Sequence, residues 1–288
     1  MIGDIHMLLT HIDNDHMGGF RRLFGKSNHS ILEHIVGFYY NTLDSLKVLA
    51  PFITGEMVSS NDVMNITTKT SYNDAVTLER FLKDYNIPVH TGIYIGEKLD
   101  FCDGVSTQIL SPSQASLDKY KNWVRNESGC QTSASVSDYD CSLITLVNRD
   151  FKLDGDAVNA SSISFLLDAF DHKMLFLGDA LPTDVATGLR ALGYSEDNPL
   201  QVELVKVAHH GSKHNTSPEL LKLIRCKRFL ISGKGGKGHP DKETLARIIN
   251  HQEEPILMFN YDITDDIFTP QDKDDFCFQT ETQSEWRL

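Results

Sequence analysis

The sequence contains no hydrophobic run near the roughly 18 residues that span a bilayer, and its first residues lack the basic-then-apolar layout of a secretion signal. These absences predict a cytoplasmic protein with no membrane partner. It also contains no Cys-x-x-Cys pair. The five cysteines (Cys102, Cys130, Cys141, Cys226 and Cys277) are odd in number and widely scattered, which excludes a cysteine-based zinc knuckle or a dithiol redox motif and leaves isolated thiols. Positive charge is scarce: 27 Lys and Arg stand against 40 Asp and Glu, for a formal charge of -13. A protein that coats nucleic acid nonspecifically is thereby excluded, because a phosphate backbone selects for positive potential. No internal repeat and no linker rich in Pro, Gly or Ser divides the chain, so a single domain over residues 1–288 is expected.

What is present is enough apolar residue, 40% of 288, to bury a large core. Apolar runs of strand length alternate with stretches of helical spacing, the pattern of an α/β layered fold. Strands are expected at 5–9, 34–40, 105–110, 202–207 and 228–232, and a hairpin at 162–167 and 173–177. Helices are expected at 17–24, at 73–85 behind Asn73 or Asp74 as N-cap, at 182–192, at 217–224, and at 241–252 capped by Asp241. Residues 113–140 are polar and Ser-rich, and read as an insertion or lid. Between Val205 and Lys237 the cations Lys206, Lys213, Lys222, Arg225, Lys227, Arg228, Lys234 and Lys237 meet one acidic residue, Glu219. This is either one positive face on an acidic protein or an ordinary solvated helix with its loops.

Chemistry concentrates in three places. His11, Asp13, Asp15 and His16 fall within six residues on a loop between a strand and a helix. Four such groups would repel or shift one another's pKa values unless a divalent metal held them in ligating form. Mixed nitrogen and oxygen donors suit zinc, manganese or iron. Asp179 leaves the apolar run Met174–Leu177 behind Gly178. His209 and His210 leave the run Leu204–Ala208 ahead of Gly211 and Ser212, and spacing does not separate the roles of the two histidines. A Gly-rich loop from Ile231 to Pro240 precedes a helix and could cradle phosphate with its amides. It lacks P-loop spacing, and its His239 either lines the pocket or caps the helix.

The stretch from Thr10 through His11, Asp13, Asp15, His16 and Gly19 resembles the signature loop of the metallo-β-lactamase superfamily, most of all the branch that includes the hydrolase domain of ComEC-type DNA-uptake proteins. Asn159–Ile163, Leu177–Asp179, Lys206–Ser212 and Ser232–Pro240 resemble that branch's later motifs, in order. The resemblance implies an αββα sandwich with two divalent ions, zinc or manganese. The implied ligands are His11, Asp13, Asp15, His16, Asp179 and His209, with Asp179 bridging. It further implies a metal-bound hydroxide attacking a phosphodiester, as in a nuclease or phosphodiesterase. Asp15, His210 and Ser212 are then the candidate catalytic groups, while Lys213, Lys237 and His239 contact an anionic substrate, which includes nucleic acid. A thioester or amide substrate, or a noncatalytic binding subunit, are the alternatives. Two departures stand out. Leu110-Ser111-Pro112 occupies the place of a family histidine, and only nine residues precede Thr10 where the superfamily has several strands. The sandwich is therefore expected to be N-terminally incomplete, with a partner chain or a dimer filling the exposed edge.

Overall fold

Alternation of strands and helices carries through to the structure, a computed structural model that describes residues 3–25, 29–43, 45, 70–125, 137–235 and 238–285. The chain is mixed α/β. It divides into two compact units, the first drawn from residues 1–94, 113–130 and 156–163, the second from 95–112, 131–155 and 164–288. Among the described residues no helix is long and apolar enough to cross a membrane.

The first unit is built on a parallel three-stranded sheet of β1 (Ile5–Leu8), β2 (Ile35–Tyr39) and β3 (Val89–His90), in that order. Parallel neighbours need crossovers. Helix α1 (Asn14–Gly25) lies in the first crossover and α2 (Thr70–Asp84) in the second. Helix α2 begins ahead of the expected start, so Asn73 lies inside it, with its carbonyl accepting from Thr77 Oγ1, and does not stand at the N-cap position. The spacing argument for its buried face does hold: Ala75, Leu78 and Leu82 are buried. Phe24 of α1 stacks on Phe81 of α2, their ring centroids 4.4 Å apart, and Phe20 meets Phe38 edge-on at 5.1 Å. Phe38 is fully buried, which contributes about 1.5–3 kcal/mol from transfer alone, and the other three rings, partly buried, pack against the same core. Of the expected insertion, residues 114–125 form helix α3 (Gln114–Arg125), whose Leu117, Tyr120 and Val124 join this core; residues 126–136 lie outside the described residues.

The second unit carries an eight-stranded sheet in the order β13-β12-β11-β9-β7-β6-β5-β4. Its strands are β4 (Lys98–Cys102), β5 (Val105–Ser111), β6 (Ser164–Ala169), β7 (His172–Phe176), β9 (Leu204–Lys206), β11 (Arg228–Ile231), β12 (Ile256–Phe259) and β13 (Gln279–Thr282). From β4 to β7 neighbours are antiparallel, and from β7 to β13 parallel. The expected hairpin forms as β6–β7, tightened to a two-residue turn at Phe170 and Asp171, both at positive φ, which suits the twist of a short hairpin. Helix α4 (Pro182–Ala191) connects β7 toward β9, and α5 (Lys242–His251) connects β11 to β12. Close packing of α4 on β5 depends on Gly188, where a Cβ would come within 2.8 Å of the Leu110 carbonyl oxygen. A separate pair, β8 (Leu200–Gln201) and β10 (Ile224–Arg225), is also parallel. Past residue 260, where the sequence shows only acidity, Thr269 and Asp272 form a capping box and β13 extends the sheet edge.

The expected cap of α5 is misplaced. Asp241 occupies the N-cap position but makes no side-chain bond to the helix. Its carboxylate instead accepts from Lys213, while Asp138 takes over the capping, accepting from the backbone N–H of Lys242 at 2.8 Å and of Glu243 at 2.9 Å.

Candidate functional site

In the first unit the donors sit where β1 runs into α1. The Asp13 carbonyl accepts from the N–H groups of His16 and Met17 and so starts the helix, leaving Asp15 and His16 in the first turn, where a carboxylate suits the helix dipole. Thr10 fixes both imidazoles: its Oγ1 lies 3.1 Å from His11 Nδ1 and 3.0 Å from His16 Nδ1. Ser162 Oγ lies 3.3 Å from His11 Nδ1 as well. A hydroxyl has two acceptor lone pairs and can receive both Nδ1–H groups. The other nitrogens then face carboxylates. His11 Nε2 is 3.6 Å from Asp13 Oδ2, and His16 Nε2 is 3.9 Å from Asp15 Oδ2. These gaps exceed a hydrogen bond and approach the ~3.4 Å that separates two donors bound at about 2.1 Å to one tetrahedral ion. His11 is buried, whereas Asp15 is exposed.

In the second unit the donors gather at the carboxyl ends of β7, β9 and β11, the end at which open parallel sheets bind ligands. Gly178-Asp179 follows β7. A 3₁₀ turn, Ala208–Gly211, follows β9 and is tied to the β7 loop by a bond from His209 N–H to the Gly178 carbonyl at 2.9 Å. His209 and His210 both take left-handed backbone angles, φ 43° and 53°, a conformation that costs ~1–3 kcal/mol per residue and clusters at functional sites. Gly211 is needed behind them: its φ is +91°, and a Cβ there would meet Pro240 Cβ at 2.7 Å.

Two imidazoles of this set, His209 and His210, are oriented from their Nδ1 side. Asn215, fully buried, donates through Nδ2 to the Asp179 carbonyl at 3.0 Å and to Asp154 Oδ2 at 3.2 Å, which turns its Oδ1 toward His209 Nδ1 at 3.1 Å. His210 Nδ1 donates to the Ser232 carbonyl at 2.8 Å. His239 Nδ1 lies 3.2 Å from Asp241 Oδ2. Thus Nε2 of His209 faces Asp179 Oδ2 at 3.8 Å, and the His239 ring lies 5.0 Å from that of His209. Burial opposes protonation of His209, but the carboxylates of Asp154 and Asp179, with Asn215, outweigh it and push its pKa up to about 9. A cation is therefore favoured at this place even without a metal. Lys206, half-buried close by, is pushed down to about 8 by burial, against the pull of Asp179; its Nζ donates to the Val207 carbonyl.

The two histidines that spacing does not separate are alike in having Nδ1 anchored. His239 pairs with Asp241 and does not cap α5. Ser212 is buried, and its Oγ accepts from His214 N–H at 3.3 Å. The charge of Lys213 is met by Asp241 Oδ1 at 3.1 Å, Lys234 is exposed, and Lys237 lies outside the described residues. The basic run does not form one face: Lys222 pairs with Glu196, and Arg225, Lys227 and Arg228 sit at the opposite end of β11 from Lys234. Sequence reasoning missed Asp154, Asn215 and the pairing of Asp241 with Lys213. Asn215 follows the His-His-Gly-Ser motif by three residues and so carried some signal; Asp154 carried none. Ser111 is fully buried, its hydroxyl donating to Ser164 Oγ at 2.7 Å and accepting from Ser164 N–H at 2.9 Å.

No protein-family model and no curated protein matches the chain.

Proposed function

We propose that the chain is a metal-dependent hydrolase of the metallo-β-lactamase fold that takes two divalent ions, zinc or manganese, and cleaves a phosphodiester. One recurring arrangement carries the reading: His11, His16 and His209 each have Nδ1 held by a hydroxyl or amide oxygen, and each has Nε2 set 3.6–3.9 Å from a carboxylate. Metal-ligating histidines are oriented in this way by groups behind them. The ligands in this reading are His11, Asp13, Asp15, His16, Asp179 and His209. Bound divalent ions would supply the nucleophile by lowering the pKa of coordinated water. Asn215 and Asp154 keep His209 in the tautomer that presents Nε2, and Ser232 does the same for His210, which stands ready to hold a proton for the leaving group. With Lys213 already engaged by Asp241, the preference for a phosphodiester rests on the resemblance and on Lys234.

Ser111 favours a second reading, a binding subunit without catalysis, because its hydroxyl stitches β5 to β6 and contributes no imidazole. Metal content and turnover separate the two. The expected result is two ions per chain and hydrolysis of bis(p-nitrophenyl) phosphate and of DNA with zinc or manganese. Asp179→Ala is expected to lower hydrolysis more than about 100-fold, beyond the loss typical of an orienting group. Equal rates for parent and variant would remove the assignment; one ion or none with no turnover would favour the binding subunit.

A further inference from the structure

At the other end of the second unit's sheet, the amino ends of β9, β11 and β12 and the carboxyl ends of β8 and β10 border a cleft of about 460 Å³, a size typical of small-molecule sites. Three cations line it: Arg225, Lys227 and Arg228. Among the described residues none of the three has a carboxylate partner; Arg225 donates only to the adjacent Ile224 carbonyl. Two carboxylates, Glu203 and Glu253, also line the cleft, so three positive charges stand against two negative ones. Like charges gathered on four consecutive positions repel unless an anion offsets them, and this happens in a chain whose net charge is -13.

The cleft is built from fixed parts. Buried Gln252 accepts from Cys226 N–H and donates to the carbonyls of Leu221 and Ile224, which locks the segment carrying Arg225. The Lys227 carbonyl accepts from Ile256 N–H at 2.6 Å, which sets the spacing between β11 and β12. No aromatic ring lines the cleft, so it offers no platform on which a base could stack. We propose that this cleft binds a compact phosphate-bearing anion through Arg225, Lys227 and Arg228. The inference stands apart from the proposed hydrolase activity.

The test is calorimetric titration of the full chain with sodium pyrophosphate at low ionic strength, after chelator treatment so that bound metal contributes nothing. Single-site binding is expected, weakened about tenfold or more in Arg228→Gln and in Lys227→Gln, as for a lost charge-assisted hydrogen bond. Lys227 is exposed, so its variant keeps the fold, and a melting curve for each variant checks this. Absence of binding, or equal affinity in the parent and in Lys227→Gln, would overturn the proposal. So would binding of a short single-stranded DNA in the absence of any binding of pyrophosphate.

Discussion

The first unit orients its imidazoles through one shared side chain, and the second unit orients each imidazole separately. Thr10 serves both His11 and His16, whereas His209 leans on Asn215 and His210 on Ser232. The polar wiring behind them differs too. Asp272 and Lys242 form a buried ion pair at 2.7 Å in the second unit, while among the described residues of the first unit no Lys or Arg is paired with a carboxylate in the interior. Strand ends of a wide sheet give donors fixed one by one; a helix start on a narrow sheet gives donors fixed together. A fault in the first set is therefore shared, and a fault in the second stays local.

The largest effect is expected where the second unit's wiring is cut. Asp272 accepts from Lys242 Nζ, from Leu143 N–H and from Thr269. Asp272→Ala leaves the ammonium of Lys242, itself fully buried, without its counter-charge, and about 3–5 kcal/mol of stability should be lost. The same residue sets an acid limit. Burial alone would raise its pKa, but the bonds from Lys242, Leu143 and Thr269 outweigh burial and hold the carboxyl below its ordinary value. A carboxylate whose folded pKa is depressed contributes fully above the unfolded value of about 3.9 and loses that contribution as pH falls through the folded value. Melting temperature followed from neutral pH down to about 3 should fall more steeply below pH 4 in the parent than in Asp272→Ala. Parallel curves would show that the pair does not wire this unit.

Next comes the shared orienting group. Thr10→Val keeps the shape and removes the oxygen that both Nδ1 atoms face, so zinc affinity should fall about 100-fold, the upper range for loss of an orienting group, with little change in melting temperature. Metal titration against a competing chelator reads this directly. An affinity unchanged within a factor of two or so would mean that Ser162 and the backbone suffice, and the contrast between the units would vanish.

How much of this was legible in the sequence follows from the range of the interactions. Strand and helix positions were readable because burial imposes a period on local sequence, as Ala75, Leu78 and Leu82 show, and the grouping of His11, Asp13, Asp15, His16, Asp179, His209 and His210 just past strands was readable because each follows an apolar run. The groups behind the donors were not. Asp154 reaches His209 across 55 positions, and Asp138 caps α5 from 104 positions away, distances at which no periodicity connects two residues. Asp241 misled for the opposite reason: it stands where an N-cap should, yet Lys213 claims its carboxylate. The basic run misled because one strand separates Arg228 from Lys234, so neighbours in sequence fall at opposite ends of the sheet.

The smallest effect should come from Asn215→Ala, although Asn215 makes more hydrogen bonds than Thr10. It orients one imidazole only, and Asp154 Oδ2, at 3.7 Å from His209 Nδ1, is placed to take over as acceptor once the amide is gone. Zinc affinity should therefore fall only about tenfold, the lower range for an orienting group, while stability drops because the buried polar groups bonded to Nδ2 lose their donor. Adding Asp154→Ala exposes the reserve. In that double variant neither side-chain acceptor remains behind Nδ1, and the loss of affinity should deepen to that of Thr10→Val. A single Asn215→Ala variant already as impaired as Thr10→Val would show that the second set has no such reserve, and that its imidazoles are no more independent than those that share one hydroxyl.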